Sequence, residues 1–177
     1  MERVRAEVAG LVTGDPTEAA TQVGPLIEQG EADRVHEWVQ EAVAAGARLV
    51  EGGQPMDNQC YAPTLLVDAP AETKVRTMEV FGPVMNISSV DTLDAAIAAA
   101  NDVPFSFQAS ICTADVNRAM YAATRIDANA VMINDHTAFR VDWMPFGGRK
   151  VSGLGLGGIP HTLEEMTAEK LIVLPAP

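Results

Sequence analysis

Two cysteines, three histidines and a literal G-x-G-x-x-G are the residues that first raise a question of chemistry in this chain. A catalytic cysteine needs a base or a helix N-terminus to hold its thiolate. Cys112 falls in an apolar stretch that reads as a buried strand, and Cys60 in a polar turn with no histidine or lysine near it in sequence. Both are therefore expected to be structural or incidental thiols. His36, His136 and His161 show no metal-ligand spacing, so no metal site is expected. The pair Asp135 and His136 has the right types for acid–base work. Adjacent side chains rarely face one another, however, which predicts a loop hydrogen-bonding role instead. The glycines at Gly153, Gly155 and Gly158 spell a dinucleotide fingerprint, which should follow a strand, open a helix and meet an acid about 20 residues later. Here a long loop precedes them, Pro160 is expected to interrupt the segment after them, and no such acid comes later. A glycine loop that permits close backbone contacts is the better account.

Glu79 and Phe81, in MEVFGPV, are of a different kind. They stand between a helical segment and a strand, where a sheet-edge cleft would open. A carboxylate there accepts hydrogen bonds from a ribose, and the phenylalanine offers a flat apolar face. From residue types alone, a solvated glutamate and a core phenylalanine is the simpler description.

The elements that must position these residues are given by periodicity. In residues 29–45, Val35, Trp38, Val39, Ala42 and Val43 recur at helical spacing, and Gly46 supplies a left-handed stop. Residues 47–51 and 61–67 read as short strands, the second carrying Pro63, and both suit a sheet edge. Then come a strand at 84–90, a helix at 92–100 with Leu93, Ala96, Ile97 and Ala100 inward, and a strand at 108–112. A helix at 116–126 capped by Asp115, with Val116, Ala119, Met120 and Ala123 inward, leads to a strand at 130–133. This β-α-β-α-β rhythm predicts an α/β fold, a mainly parallel βαβ sheet with flanking helices, whose ligands gather beyond the carboxyl ends of the strands. Residues 134–160 have no periodicity and read as a functional loop. Residues 161–166 predict one or two helical turns and residues 170–174 a terminal strand that needs a sheet to join.

Composition narrows the partners. The 177 residues carry 12 Lys plus Arg against 24 Asp plus Glu, a formal charge of -12 that disfavours a nucleic-acid partner. Hydrophobic residues make up 47%, enough for a continuous core, and no apolar run is long enough to span a membrane. MERVRAEVAG has charges where a signal peptide is apolar, and the two cysteines suit a reducing compartment. A cytoplasmic protein is expected.

From EVFGPV outward, the order and spacing of motifs resemble the aldehyde dehydrogenase superfamily over almost the whole chain. The resemblance runs through GDP (14–16), VGPLI (23–27), AGARLVEGG (45–53), YAPTLL (61–66), EVFGPV (79–84) and ANDVPF (100–105). INDHTAFRVDWMPFGGRKVSGLG (133–155) and the closing EEMTAEKLIVL complete it. It implies a partial aldehyde dehydrogenase catalytic domain at 1–166 and an oligomerisation strand and tail at 167–177, the strand adding to a sheet of another subunit. It also implies that Glu79 binds the nicotinamide ribose hydroxyls of NAD or NADP and that Phe81 packs by the nicotinamide ring. Phe146 would line the aldehyde entrance. The loop is most similar to members acting on small hydroxylated aldehydes, where Arg140 would meet an anionic or hydroxylated substrate, a surface salt bridge being its plainer role.

Members of this superfamily attack the aldehyde with a cysteine thiolate and hydrolyse the thioester with a glutamate-activated water. Neither Cys60 nor Cys112 matches the nucleophile position and no residue matches the base, so both are expected upstream of Met1. No catalytic residue is assigned here. The cofactor is expected only in a complete enzyme, and the isolated chain is expected to be inactive. Its partners would be a small aldehyde in that enzyme and further copies or an upstream dehydrogenase half. The alternative is a non-catalytic assembly module that binds a full-length dehydrogenase. Two departures bear on function: Ser106 stands where the pattern has glycine, and Ala168 where many members have glutamate.

Overall fold

The computed structural model describes residues 1–176 and divides into two units, the first ending at Asp91 and the second beginning at Thr92. The first holds α1 (Glu2–Ala9), α2 (Gln29–Ala44), β1 (Arg48–Glu51), β2 (Thr64–Val67), α3 (Lys74–Thr77) and β3 (Val84–Ile87). Helix α2 forms where the periodicity places it and buries Ala32, Val35, Val39 and Ala42. It ends at Gly46, whose φ of +115° lies where a side chain would be strained. Trp38 and Val43 pack at the margin of a core made by α2, Ala47, Tyr61, Leu66, Ala69 and Val75. Each buried valine or leucine there contributes about 1.5–3 kcal/mol.

The sheet of this unit has the order β1-β2-β3, with β1 antiparallel to β2 and β2 parallel to β3 from Thr64↔Val84 to Val67↔Ile87. β1 lies at an edge as expected. β2 does not: it is the central strand and all four of its residues are buried. Pro63 precedes the first strand residue, so its missing N–H costs the ladder nothing.

The second unit holds α4 (Leu93–Asn101), β4 (Phe105–Ser106), β5 (Gln108–Ile111), α5 (Val116–Ala123), β6 (Ala130–Ile133), β7 (Arg149–Lys150) and α6 (Ile159–Glu165). Side-chain caps set two helix starts. Thr92 accepts from the Ala95 N–H at 3.1 Å, and Asp115 from those of Asn117 and Arg118 at 2.8 and 3.2 Å. β5 and β6 pair in parallel from Gln108↔Ala130 to Ile111↔Ile133, the βαβ unit that the sequence predicts. The fold is α/β with mixed and parallel sheets.

Several expectations change. β3 belongs to the sheet of the first unit and β5–β6 form a separate pair, so the run from β3 to β6 is not one sheet. Spacing orders strands along the chain, whereas pairing depends on which backbone edges meet. In α4 only Ile97 is buried, and Ala100 is exposed. In α5 the buried residues are Ala119 and Ala122, while Val116 and Met120 are 70% and 53% exposed. The face a helix turns inward is set by where its strand neighbour lies, not by side-chain size. The loop at 134–160 contains β7, which pairs with β4, and a bridge between Phe146 and Gly157. Pro160 starts α6 instead of interrupting it, in the first turn where its missing N–H is harmless. Residues 167–176 form neither helix nor strand, and Leu171, Ile172, Val173 and Leu174 are exposed. The expected strand at 170–174 has no neighbour among the described residues with which to pair. Residue 177 lies outside the described residues.

Candidate functional site

In the first unit, the segment from Glu79 to Gly82 runs between α3 and β3. Val80 packs against the core, so the flanking Glu79 and Phe81 point outward and are exposed. Phe81 has φ +47° and is 78% exposed, the opposite of a core phenylalanine. Its ring borders an open cleft of about 460 Å³ whose other walls include Leu26, Ile27, Glu31 and the backbone at Gly24. Glu79 does not line that cleft; its carboxylate stands exposed two residues before Phe81. Gly82 is required by close approach, since a Cβ there would lie 2.8 Å from Cγ2 of Val35 on α2. The turn thus rests directly on the helix.

One residue of this turn's support has no signal in the motif itself. Arg34, on α2, donates from Nη2 to the Val80 carbonyl at 2.7 Å. Its guanidinium also donates to Glu31 Oε2, at 2.9 Å from Nε and 2.6 Å from Nη2, and lies 4.3 Å from the centroid of the Trp38 ring. The spacing of Glu31, Arg34 and Trp38 on a helix does signal a held arginine. Nothing local signals a bond to a residue 46 positions away.

In the second unit, Arg140 stacks on Phe146, its guanidinium carbon 3.9 Å from the ring centroid, and Phe107 meets the same ring edge-on at 5.1 Å. The expected surface salt bridge of Arg140 is not formed among the described residues; the aromatic face takes its place. Phe107, exposed at 38%, carries no mark in the sequence, because only the fold brings it beside Phe146. The loop is anchored by Lys150. Its Nζ donates to the carbonyls of Asn101 and Val103 at 3.1 and 3.2 Å and pairs with Asp127 at 3.2 Å, while Arg149 pairs with Asp127 at 2.9 Å. Ser106, the departure from the glycine pattern, is buried and donates to the Asp127 carbonyl at 2.6 Å, and its N–H donates to Ser152 Oγ at 3.0 Å. A separate pocket of about 300 Å³ is lined by β6, Asp135, Phe139 and Met144, and does not include Arg140 or Phe146.

The remaining candidates resolve simply. Asp135 accepts from the His136 N–H at 2.8 Å and its carbonyl accepts from the Ser110 hydroxyl, which is loop hydrogen bonding, but against expectation the adjacent side chains do meet, His136 Nε2 lying 3.8 Å from Asp135 Oδ1 with both exposed. The cysteines reverse their expected environments: Cys60 is buried at 4% exposure and Cys112 is on the surface. A tight turn closes over Cys60, and β5 stops one residue short of Cys112. His36 is not a free surface histidine, since Nδ1 lies 3.1 Å from the Tyr61 hydroxyl. Burial pushes that phenol up to about 12. Gly158 caps α6, so the glycine run does open a helix, but one of 7 residues at the end of the loop rather than after a parallel strand. Among the described residues no three His, Cys, Asp or Glu side chains gather as metal ligands, and no helix is long and apolar enough to cross a membrane.

Known proteins resemble this chain over nearly its whole length. The family model described as "Aldehyde dehydrogenase family" matches residues 1–172. The 3-sulfolactaldehyde dehydrogenase of Priestia aryabhattai is 41% identical over 98% of this chain and 36% of its own length. The Mycobacterium tuberculosis aldehyde dehydrogenase complexed with NAD+ superposes with a TM-score of 0.89 at 34% identity, covering 98% of this chain and 36% of that one. The glyceraldehyde-3-phosphate dehydrogenase GapN of Methanocaldococcus jannaschii, complexed with NADP, gives 0.88 at 34%, covering 93% and 36%. This chain therefore spans about a third of the length of the relatives it matches. With the family model matched from the first residue through most of the tail, the chain belongs to the aldehyde dehydrogenase family.

Proposed function

We propose that these residues form the C-terminal portion of an NAD(P)-dependent aldehyde dehydrogenase that converts an aldehyde to a carboxylic acid through a thioester. The observation that carries this reading is the outward pair Glu79 and Phe81, of which Phe81 lines the cleft of the first unit, within a chain of this family. An exposed carboxylate and an exposed ring two residues away suit a ribose diol and a flat nicotinamide, so the residues fit the cofactor. Glu79 would accept the hydroxyls and Phe81 would cover one face of the ring. NAD or NADP supplies the two-electron oxidant of the reaction when bound. The chain's own contribution is orientation at that wall and, through Phe146 and Arg140, shaping of the aldehyde entrance.

Arg140 held on Phe146 presents a fixed positive charge with no carboxylate partner among the described residues. That suits a small hydroxylated or anionic aldehyde, the class to which the 3-sulfolactaldehyde of the Priestia relative belongs. The 177 residues alone should not turn over. Cys60 is enclosed, Cys112 lies on the surface away from Glu79 in sequence and matches no nucleophile motif, and the covalent route is lost without one. NADH formation from 3-sulfolactaldehyde and from lactaldehyde tests both statements. It should be absent for the purified chain and appear when the chain is co-expressed with the N-terminal two-thirds of the Priestia relative. Turnover by the chain alone would refute its inactivity.

A second reading has its own observation, the exposed apolar run Leu171, Ile172, Val173 and Leu174. Its unpaired backbone suits addition to a sheet of another subunit, as in an assembly module. Size-exclusion with a full-length homologue should give a mixed oligomer that Ile172→Glu abolishes; no association with the unaltered chain would exclude this reading.

A further inference from the structure

We propose that Arg34 is a positioning residue for the Glu79–Phe81 wall, acting through the Val80 carbonyl rather than by touching a ligand. This rests on the cofactor reading only for its consequence, not for its geometry. Among the described residues, the Arg34–Val80 bond at 2.7 Å is the one hydrogen bond made by residues 79–81. The neighbouring backbone is tied elsewhere: the Met78 N–H donates to Lys74, and the Pro83 carbonyl accepts from Thr64. Between those ties the chain takes the left-handed turn at Phe81, φ +47°, a conformation that a phenylalanine does not hold unaided. Phe81 is 78% exposed, so packing of its own ring does not hold it either.

Arg34 is suited to the task because it is itself fixed. Two donors go to Glu31, the Trp38 face lies beneath, and the remaining direction of the planar fork meets Val80. A charged donor to a carbonyl is a stronger tether than a neutral one. Val80 packs on the core while its carbonyl is drawn to α2, and this alternation leaves Glu79 and Phe81 on the outer side. The guanidinium thus sets the spacing of two groups it does not contact.

The test uses the full chain, isotope-labelled, in four forms: unaltered, Arg34→Met, Arg34→Lys and Glu31→Gln. Backbone 15N order parameters at Phe81 and Gly82 should fall from about 0.85 to below about 0.6 in Arg34→Met, with those across α2 unchanged, and should recover in part in Arg34→Lys, which keeps one donor. Glu31→Gln, which loosens the fork without removing the donor, should give a smaller fall at the same amides and serves as the deciding variant if Arg34→Met unfolds the unit. Unchanged order parameters at Phe81 and Gly82, or a uniform fall across the unit in Glu31→Gln, would overturn the proposal. Titration with NAD of the labelled chain co-expressed with the N-terminal two-thirds of the Priestia relative is the second arm. It should shift the Glu79 and Phe81 amide resonances of the unaltered chain in that complex and not those of Arg34→Met. If NAD shifts neither residue in the unaltered complex, the cofactor reading fails while the order parameters still decide the role of Arg34.

Discussion

The guanidinium carbon of Arg140 lies 3.9 Å from the centroid of the Phe146 ring, and Phe107 meets that ring at 81° from the bend between β4 and β5. The two loop residues belong to a stretch with almost no regular structure, yet they are mutually ordered: an aromatic pair supports a cation. An edge-to-face pair and a cation over a ring contribute about 0.5–1.5 kcal/mol each. That is enough to hold a long side chain in one orientation without consuming its charge.

Charge selection should follow. In the enzyme completed with an N-terminal portion, Arg140→Gln should lower kcat/KM for an anionic aldehyde such as 3-sulfolactaldehyde by about tenfold or more, corresponding to a lost charged hydrogen bond. A neutral aldehyde should change by less than about twofold. Equal losses for both substrates, measured side by side, would remove Arg140 from substrate recognition.

Close contact at Gly82 makes a sharp stability prediction. Adding a methyl group 2.8 Å from Val35 Cγ2 forces the turn away from α2, so Gly82→Ala should destabilise the chain by about 1–3 kcal/mol. Pairing it with Val35→Ala makes room for the methyl, and the double variant should lose less than the sum of the two singles. Urea unfolding of the four proteins measures the difference, and strict additivity would show that the contact is not felt.

Tyr61 should limit stability in base. Burial raises its phenol from 10.0 to about 12, so the unfolded chain loses the proton first. The contribution is fully present below pH 10.0 and is lost as pH rises through about 12, at up to about 1.4 kcal/mol per pH unit. Denaturation midpoints across this range should fall for the unaltered chain and fall less for Tyr61→Phe. Parallel curves would assign the loss to other groups.

Ser106 and Lys150 anchor the substrate-side loop, so their loss should loosen it. Ser106→Gly, which restores the residue of the family pattern, should cost about 1 kcal/mol by removing the hydroxyl bond to the Asp127 carbonyl. Lys150→Met should cost more, about 1–3 kcal/mol, because two carbonyls and a carboxylate lose a donor. Thermal melts check both, and a stabilised Ser106→Gly would mean that the departure from glycine carries strain.

Much of the first unit was legible because its signals are local. The 3.6-residue period of α2 and the stop at Gly46 act within a turn of the chain, as does the cap at Asp115 that opens α5 in the second unit. The motif EVFGPV drew attention to Glu79 and Phe81 for the same reason, and the loop around Phe146 stood out by its lack of any period. Illegible features all depend on distant neighbours. The central place of β2, the inward faces of α4 and α5, the enclosure of Cys60 and the exposure of Cys112 are set by which edges and faces meet.

Residue type and spacing were thus enough to predict the α/β alternation, and the order of the motifs carried the resemblance to the family and with it the expectation at Glu79 and Phe81. What holds those residues had to come from folding: Arg34 reaching Val80 across 46 residues, Gly82 resting on Val35, and Arg140 lying on Phe146 instead of in an ion pair. Hydrogen bonds, close packing and cation–π contacts fall off within a few ångströms. They exist only once the chain has brought separated residues together.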